Sequence, residues 1–235
     1  MQENIWEKEY KNPKLVTGHD KPQSFFLKFL KFLKKDQKIE LKGLNILDLG
    51  CGTGRNSNYL AKKGAKVTGL EISGTALKIA RDRANKAGLV VNYVEHNIGS
   101  NYPFEDGSFD LVIDITSSNS LNEEERNIYL SEVARVLRTG ATKTFGSGKG
   151  LFFVRALCKD GDKNARYLLK NNPAKEKDTY IMPNTGLRER VFSKDDFTET
   201  YSKYFKILKL EKTESYSTVG DRLYKRNFWL GILEK

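Results

Sequence analysis

Very little in this chain could form a cross-link or a conventional catalytic cluster. Of 235 residues two are cysteine, Cys51 and Cys158, and two are histidine, His19 and His96. Two thiols are too few for a disulfide framework, and their separation lacks metal-ligand spacing, so we expect reduced cysteines and no metal site. With two histidines there is no Ser-His-Asp or Cys-His arrangement to read. No apolar run approaches the roughly 18 residues that span a bilayer, and the opening Met1-Gln-Glu-Asn-Ile-Trp-Glu-Lys lacks the basic-then-apolar order of a signal peptide. These shortages predict a cytoplasmic protein with no membrane partner, a monomer or homodimer. Acidic residues are also in deficit. The net charge is +11, and 21 of the 41 lysines and arginines lie from Arg138 onward against 12 acids there. A basic excess in that half admits an RNA or another anion as partner. The lysines are spread out, however, and Asp160, Asp162, Glu176 and Asp178 interrupt them, so a solvated lysine-rich surface is the plainer reading.

What is present is organised around Asn45-Ile-Leu-Asp-Leu-Gly-Cys-Gly-Thr-Gly-Arg-Asn56. Asn45 to Leu49 is short and apolar, as a buried parallel strand is. Three alternating glycines, Gly50, Gly52 and Gly54, then allow a sharp turn against which a ligand can lie. The turn opens a helix from Asn56, whose first N–H groups are unpaired. Val67 to Leu70 reads as a second strand with Glu71 at its end, where a carboxylate can accept hydrogen bonds from ribose hydroxyls. A dinucleotide turn needs G-x-G-x-x-G, but the spacing here is G-x-G-x-G with Arg55 next. Asp48 also opposes a pyrophosphate and suits an ammonium or sulfonium group. The pattern therefore favours an S-adenosylmethionine pocket over NAD(P) or an empty glycine turn, with Cys51, Asn56 and Ile72 beside it.

Ile46-Leu-Asp-Leu-Gly-Cys-Gly-Thr-Gly54 resembles the first motif of the class I S-adenosylmethionine-dependent methyltransferases. Val94 to Ile98 and Tyr102 to Asp114 resemble their later motifs, in the small-molecule branch (methyltransferase type 11 and tellurite-resistance-like). The resemblance runs from about Leu44 to Gly140. It implies a Rossmann-like α/β fold: a seven-stranded, mostly parallel sheet with helices on both faces and an antiparallel last strand. It also implies that Asn97 accepts the adenine amino group where the family commonly has an acid, that Ile98 lies against the adenine ring, and that an N-terminal segment bearing Trp6 and Tyr10 closes over the cofactor.

The chain then reads as a single domain, with a helical lid over 1–40, a cofactor-binding core over 41–158, and a substrate-side cover with the last two strands over 159–235. Helices are expected over 22–38, 75–87, 123–137, 165–170 and from Ser193 to Tyr204. Strands are expected over 89–95, 109–115, 151–158, 205–210 and 224–233, with a turn at 219–221. The segment 139–150 reads as a flexible loop; its Gly-Ser-Gly-Lys-Gly end lacks the phosphate-loop pattern. Four strand ends, at Gly50, Glu71, Asn97 and Asp114, meet on one rim. Asp114 is the candidate catalytic and cofactor residue, able to balance the sulfonium or orient the acceptor. Asn119, Arg155, Arg190 and Tyr224 are candidate substrate contacts. The expected reaction is methyl transfer to a small molecule; an RNA methyltransferase or a non-catalytic cofactor-binding module are the rival readings, although no Asn/Asp-Pro-Pro-Tyr/Phe signature follows the fourth strand.

Overall fold

The computed structural model describes the backbone of residues 2–13, 19–140, 148–219 and 222–235. Two helices come first, α1 (Gln2–Lys11) and α2 (Ser24–Lys35). An alternating core follows: β1 (Asn45–Leu49), α3 (Arg55–Lys62), β2 (Lys66–Glu71), α4 (Gly74–Lys86), β3 (Asn92–Glu95), β4 (Leu111–Ile115), α5 (Glu123–Val136) and β5 (Leu151–Cys158). The rest comprises α6 (Lys163–Asn171), a small hairpin of β6 (Thr179–Ile181) and β7 (Arg188–Arg190), α7 (Lys194–Ser202), β8 (Lys206–Val219) and β9 (Arg222–Glu234). The main sheet has seven strands in the order β3-β2-β1-β4-β5-β9-β8. The first five run parallel, and β9 is antiparallel to both β5 and β8. The expected sheet is therefore present.

Strand periodicity sorts the core into two layers. Leu47, Leu49, Val112 and Phe152 pack beneath α5 and α7 with Tyr129, Phe197 and Tyr201. Ile46, Ile113 and Phe153 face the other way, onto Phe26 and Phe29 of α2 and Leu60 of α3. The Phe29 and Phe153 rings stack at 4.0 Å with 9° between planes. Phe26 and Phe29 of the α2 stripe thus pack in the core, and truncating Phe153 to Ala would cost about 3–5 kcal/mol.

Helix starts follow their caps. Ser73 accepts from Ala76 N, Asp162 from Ala165 N and Ser193 from Asp196 N, and Asn122 with Glu125 forms a reciprocal capping box. Helix α2 is shorter than expected at both ends: Gln23 is extended, and Lys38 sits at φ 56. Strands β8 and β9 run well past the expected 205–210 and 224–233, because the Glu-Lys-Thr stretch has no apolar signal but pairs residue by residue as a long ribbon. The turn at Gly220-Asp221 and most of the 139–150 loop lie outside the described residues.

Candidate active site

The strand order reverses between β1 and β4, which pair in register with Leu49 opposite Asp114. In an open parallel sheet this is where the crevice forms, beyond the strand C-termini. A cleft of about 1790 Å3 opens there.

Its deepest wall is the glycine turn. Gly50 (φ 63) and Gly52 (φ 54) occupy the left-handed region; a Cβ on Gly50 would stand 2.2 Å from Ser117 Oγ, and one on Gly52 2.6 Å from the Tyr10 hydroxyl. Gly54 also has positive φ, but it packs against Tyr93 behind the turn and does not line the cleft. Asp48, Cys51, Asn56, Glu71 and Ile72 do line it.

Three charged or polar groups set the electrostatics. Asp48 is buried and accepts from Ser57 Oγ at 2.5 Å. Burial pushes its carboxyl up to about 7, with the nearby Asp114 and Glu71 charges adding to the rise. Glu71 accepts from Gly52 N at 2.9 Å through Oε2 and from Ile72 N and Ser73 N at 2.9 and 3.0 Å through Oε1; burial raises its pKa. Three of a carboxylate's roughly four acceptor positions are thus used by backbone, which leaves room for one further donor, not a pair. Asn56 Oδ1 is buried with no hydrogen-bond partner. An unmatched acceptor and the Asp48 carboxyl lining one cleft, at a turn with no room for a Cβ, fit the cationic amino-acid end of S-adenosylmethionine.

On the opposite wall, Asn97 Oδ1 accepts from Gly99 N at 2.8 Å, closing an Asx turn. One lone pair of that oxygen is left for an adenine amino group. Ile98 is buried beside it, its carbonyl accepting from the Tyr102 hydroxyl. Helix α1 covers the turn from outside. Glu7 accepts from Ser73 Oγ at 2.6 Å and from Thr75 N and its hydroxyl, and these bonds hold its carboxyl down at about 2. Trp6 and Tyr10 both line the cleft, ring centroids 6.3 Å apart.

Asp114 requires a correction. Its side chain is fully buried and accepts from Ser117 N, Ser118 N and the Tyr129 hydroxyl, so it caps the short 3-10 turn 118–120 beneath the cleft. It does not line the cleft. Asn119 is likewise structural, accepting from Leu157 N and donating to Thr116 O. Arg190 lies elsewhere, paired with Asp196 at 2.6 Å, and Tyr224 belongs to the outer part of β9, opposite Ser217. Only Arg155 of the four expected substrate contacts lines the cleft.

Several cleft residues carry no sequence signal. Thr116, just past β4, has φ 67, a strained position for a β-branched residue, and it stands at the mouth with Ser117. Phe25 of α2 and Leu230 of β9 reach the same cleft from distant parts of the chain. Among the described residues no group of three or more His, Cys, Asp or Glu is placed to hold a metal, and no helix is long and apolar enough to cross a membrane.

Residues 46–140 match the family described as a methyltransferase domain. This match covers less than half of the chain. The chain is 36% identical over 104 residues to a phthiotriol/phenolphthiotriol dimycocerosates methyltransferase 1 of Mycobacterium ulcerans, covering 43% of this chain and 36% of that one. It is 36% identical over 105 residues to a fatty-acid O-methyltransferase of Mycolicibacterium smegmatis, covering 44% and 36%. The chain thus spans about a third of the length of these curated relatives. Beyond the methyltransferase domain the likeness is one of fold: an S-adenosylmethionine-dependent methyltransferase from Methanosarcina mazei superposes with a TM-score of 0.72 at 24% identity, over 92% of this chain and 98% of that one.

Proposed function

We propose that the chain transfers a methyl group from S-adenosylmethionine to a small-molecule acceptor. The observation that carries this reading is the convergence of Asp48, Asn56 and Glu71 on one glycine turn at the reversal of strand order. Asp48 and Asn56 Oδ1 would accept from the ammonium, the remaining Glu71 lone pair from a ribose hydroxyl, and Asn97 from the adenine amine, with Ile98 against the ring. Bound there, the cofactor supplies a sulfonium-activated methyl group, which needs alignment more than acid–base help. The protein's own part is to hold donor and nucleophile in line, to exclude water, and to balance positive charge with Asp48. Helix α1, fastened by Glu7, is the lid of this arrangement, with residues 41–158 as the cofactor core.

The cleft exceeds the roughly 300–1,000 Å3 usual for one small ligand, leaving space for an acceptor between the turn and the β5–β9 wall. By their names one relative acts on phthiotriol and phenolphthiotriol dimycocerosates and the other on fatty acids, and the wall here includes Phe25, Phe29, Phe153 and Ile232. Incubating the protein with methyl-labelled S-adenosylmethionine and a metabolite extract tests the reading. Label in a small organic-soluble product is the expected outcome. Cofactor binding with no transfer to any fraction would point to a non-catalytic module, and label in RNA to the rival substrate.

A further inference from the structure

The least satisfied charged group among the described residues is Arg155, near the C-terminal end of β5. Its side chain is only 7% exposed. The guanidinium lies between two rings, 4.4 Å from the Phe25 centroid and 3.3 Å from that of Phe228. Its Nε is buried with no hydrogen-bond partner, and among the described residues no carboxylate pairs with it. Burial, with a smaller contribution from the nearby Arg226 charge, pulls its pKa down to about 9.

Other buried arginines are matched. Arg126 donates to the Ser118 and Leu121 carbonyls, and Arg190 binds Asp196. Arg226 Nε, also short of a hydrogen bond, has Asp162 at 3.6 Å. Glu211, on the same cleft wall as Arg155, is held by Lys209 at 2.8 Å. Cation–π contact offsets part of the cost of burying a guanidinium, but its donors lie in the plane of the group, where the rings cannot serve them. A buried cation left so is costly unless something pairs with it.

That something has to come through the cleft. Arg155 lines it, opposite Ile115 in the β4–β5 register and next to strained Thr116, whose N–H donates to the Arg155 carbonyl at 2.9 Å. The surrounding wall is apolar: Phe29, Phe153, Leu230 and Ile232. We infer that Arg155 is an anchor for the carboxylate of an acceptor whose body is apolar, the planar fork donating to both carboxylate oxygens while Phe25 and Phe153 cover the rest. This names the substrate class of the proposed methyl transfer and rests on that reading.

The test is calorimetric titration of three carboxylates, decanoate, 4-phenylbutyrate and indole-3-acetate, and of their primary amides, with and without S-adenosylhomocysteine. At least one acid is expected to bind tenfold or more tightly than its amide in the wild type, and Arg155→Met to abolish that preference while binding S-adenosylhomocysteine as the wild type does. Arg155→Lys, which keeps the charge but loses the fork, is expected to retain part of it. Because Met removes an unpaired buried charge, the ligand-free Arg155→Met protein is expected to melt at or above the wild-type temperature, which an arginine serving only the fold would not allow. Equal affinities for every acid–amide pair, no measurable binding of any, or a preference that survives in Arg155→Met would overturn the inference. Loss of S-adenosylhomocysteine binding by the wild type would instead overturn the methyltransferase reading, so the two failures are distinguishable.

Discussion

Asp48 is the residue on which the charge logic turns. Its carboxyl, raised by burial to about 7, is largely neutral at pH 5 and ionised above neutrality. A folded pKa above the unfolded value means that the native state holds the extra proton, so this group's contribution to stability falls as pH rises from about 4 to 7, by at most about 1.4 kcal/mol per unit, and is level beyond. A cationic ligand favours the ionised form. Its affinity is therefore expected to rise between pH 5 and 7 with release of up to one proton, measurable by calorimetry in two buffers of different ionisation enthalpy; Asp48→Asn is expected to flatten the profile. A pH-independent wild-type affinity would remove Asp48 from the cation site. Glu71→Ala is expected to weaken cofactor binding by about 1–3 kcal/mol. It also strands the N–H groups of Gly52, Ile72 and Ser73, so a lowered melting temperature is expected with it. That Glu71, Gly50 and Gly52 reach the cleft was legible in the sequence because strand end and turn are local patterns; that Gly54 packs behind the turn was not. Asp114 was misplaced because a strand-end position tells which rim a residue reaches, not which way its side chain turns. The N–H groups of Ser117 and Ser118 and the distant Tyr129 draw its carboxylate inward.

Among the elements, α1 is tied to α4 through one acid. Glu7 spans from α1 to the start of α4, and its carboxyl is held at about 2. A depressed folded pKa gives docking that is complete above about 4.5 and lost as pH falls toward 2. Glu7→Ala is expected to loosen α1 by on the order of 1 kcal/mol, read as faster amide exchange in residues 2–11 and, in a Trp229→Phe background, as a changed Trp6 emission. Unchanged exchange would detach Glu7 from any lid role. The sequence places Trp6 and Tyr10 on one helical face by their spacing, yet it holds no hint that Glu7 meets Ser73, because that pairing joins elements 66 residues apart. The hairpin β6–β7, three residues a side, was too short to show a period at all.

For the whole molecule, the alternation of strand and helix was readable because the parallel strands carry short apolar runs and a helix follows each of β1, β2 and β4, though none joins β3 to β4. Of the proposed acceptor wall only Arg155 was, since Phe25, Thr116 and Leu230 join it only once α2, β4 and β9 are assembled. A ligand that binds only this assembled state stabilises all of it. At a hundred times its dissociation constant it adds about 2.7 kcal/mol, so S-adenosylhomocysteine is expected to raise the melting temperature by roughly 5–10 °C for a chain of this size. The most direct test of the account is a calorimetric titration of the full chain with S-adenosylmethionine and, separately, with NAD at pH 7.5. One saturable site for S-adenosylmethionine, weakened in Glu71→Ala, and no heat of binding with NAD is the predicted result. Binding of NAD in place of S-adenosylmethionine, or of neither, would contradict it.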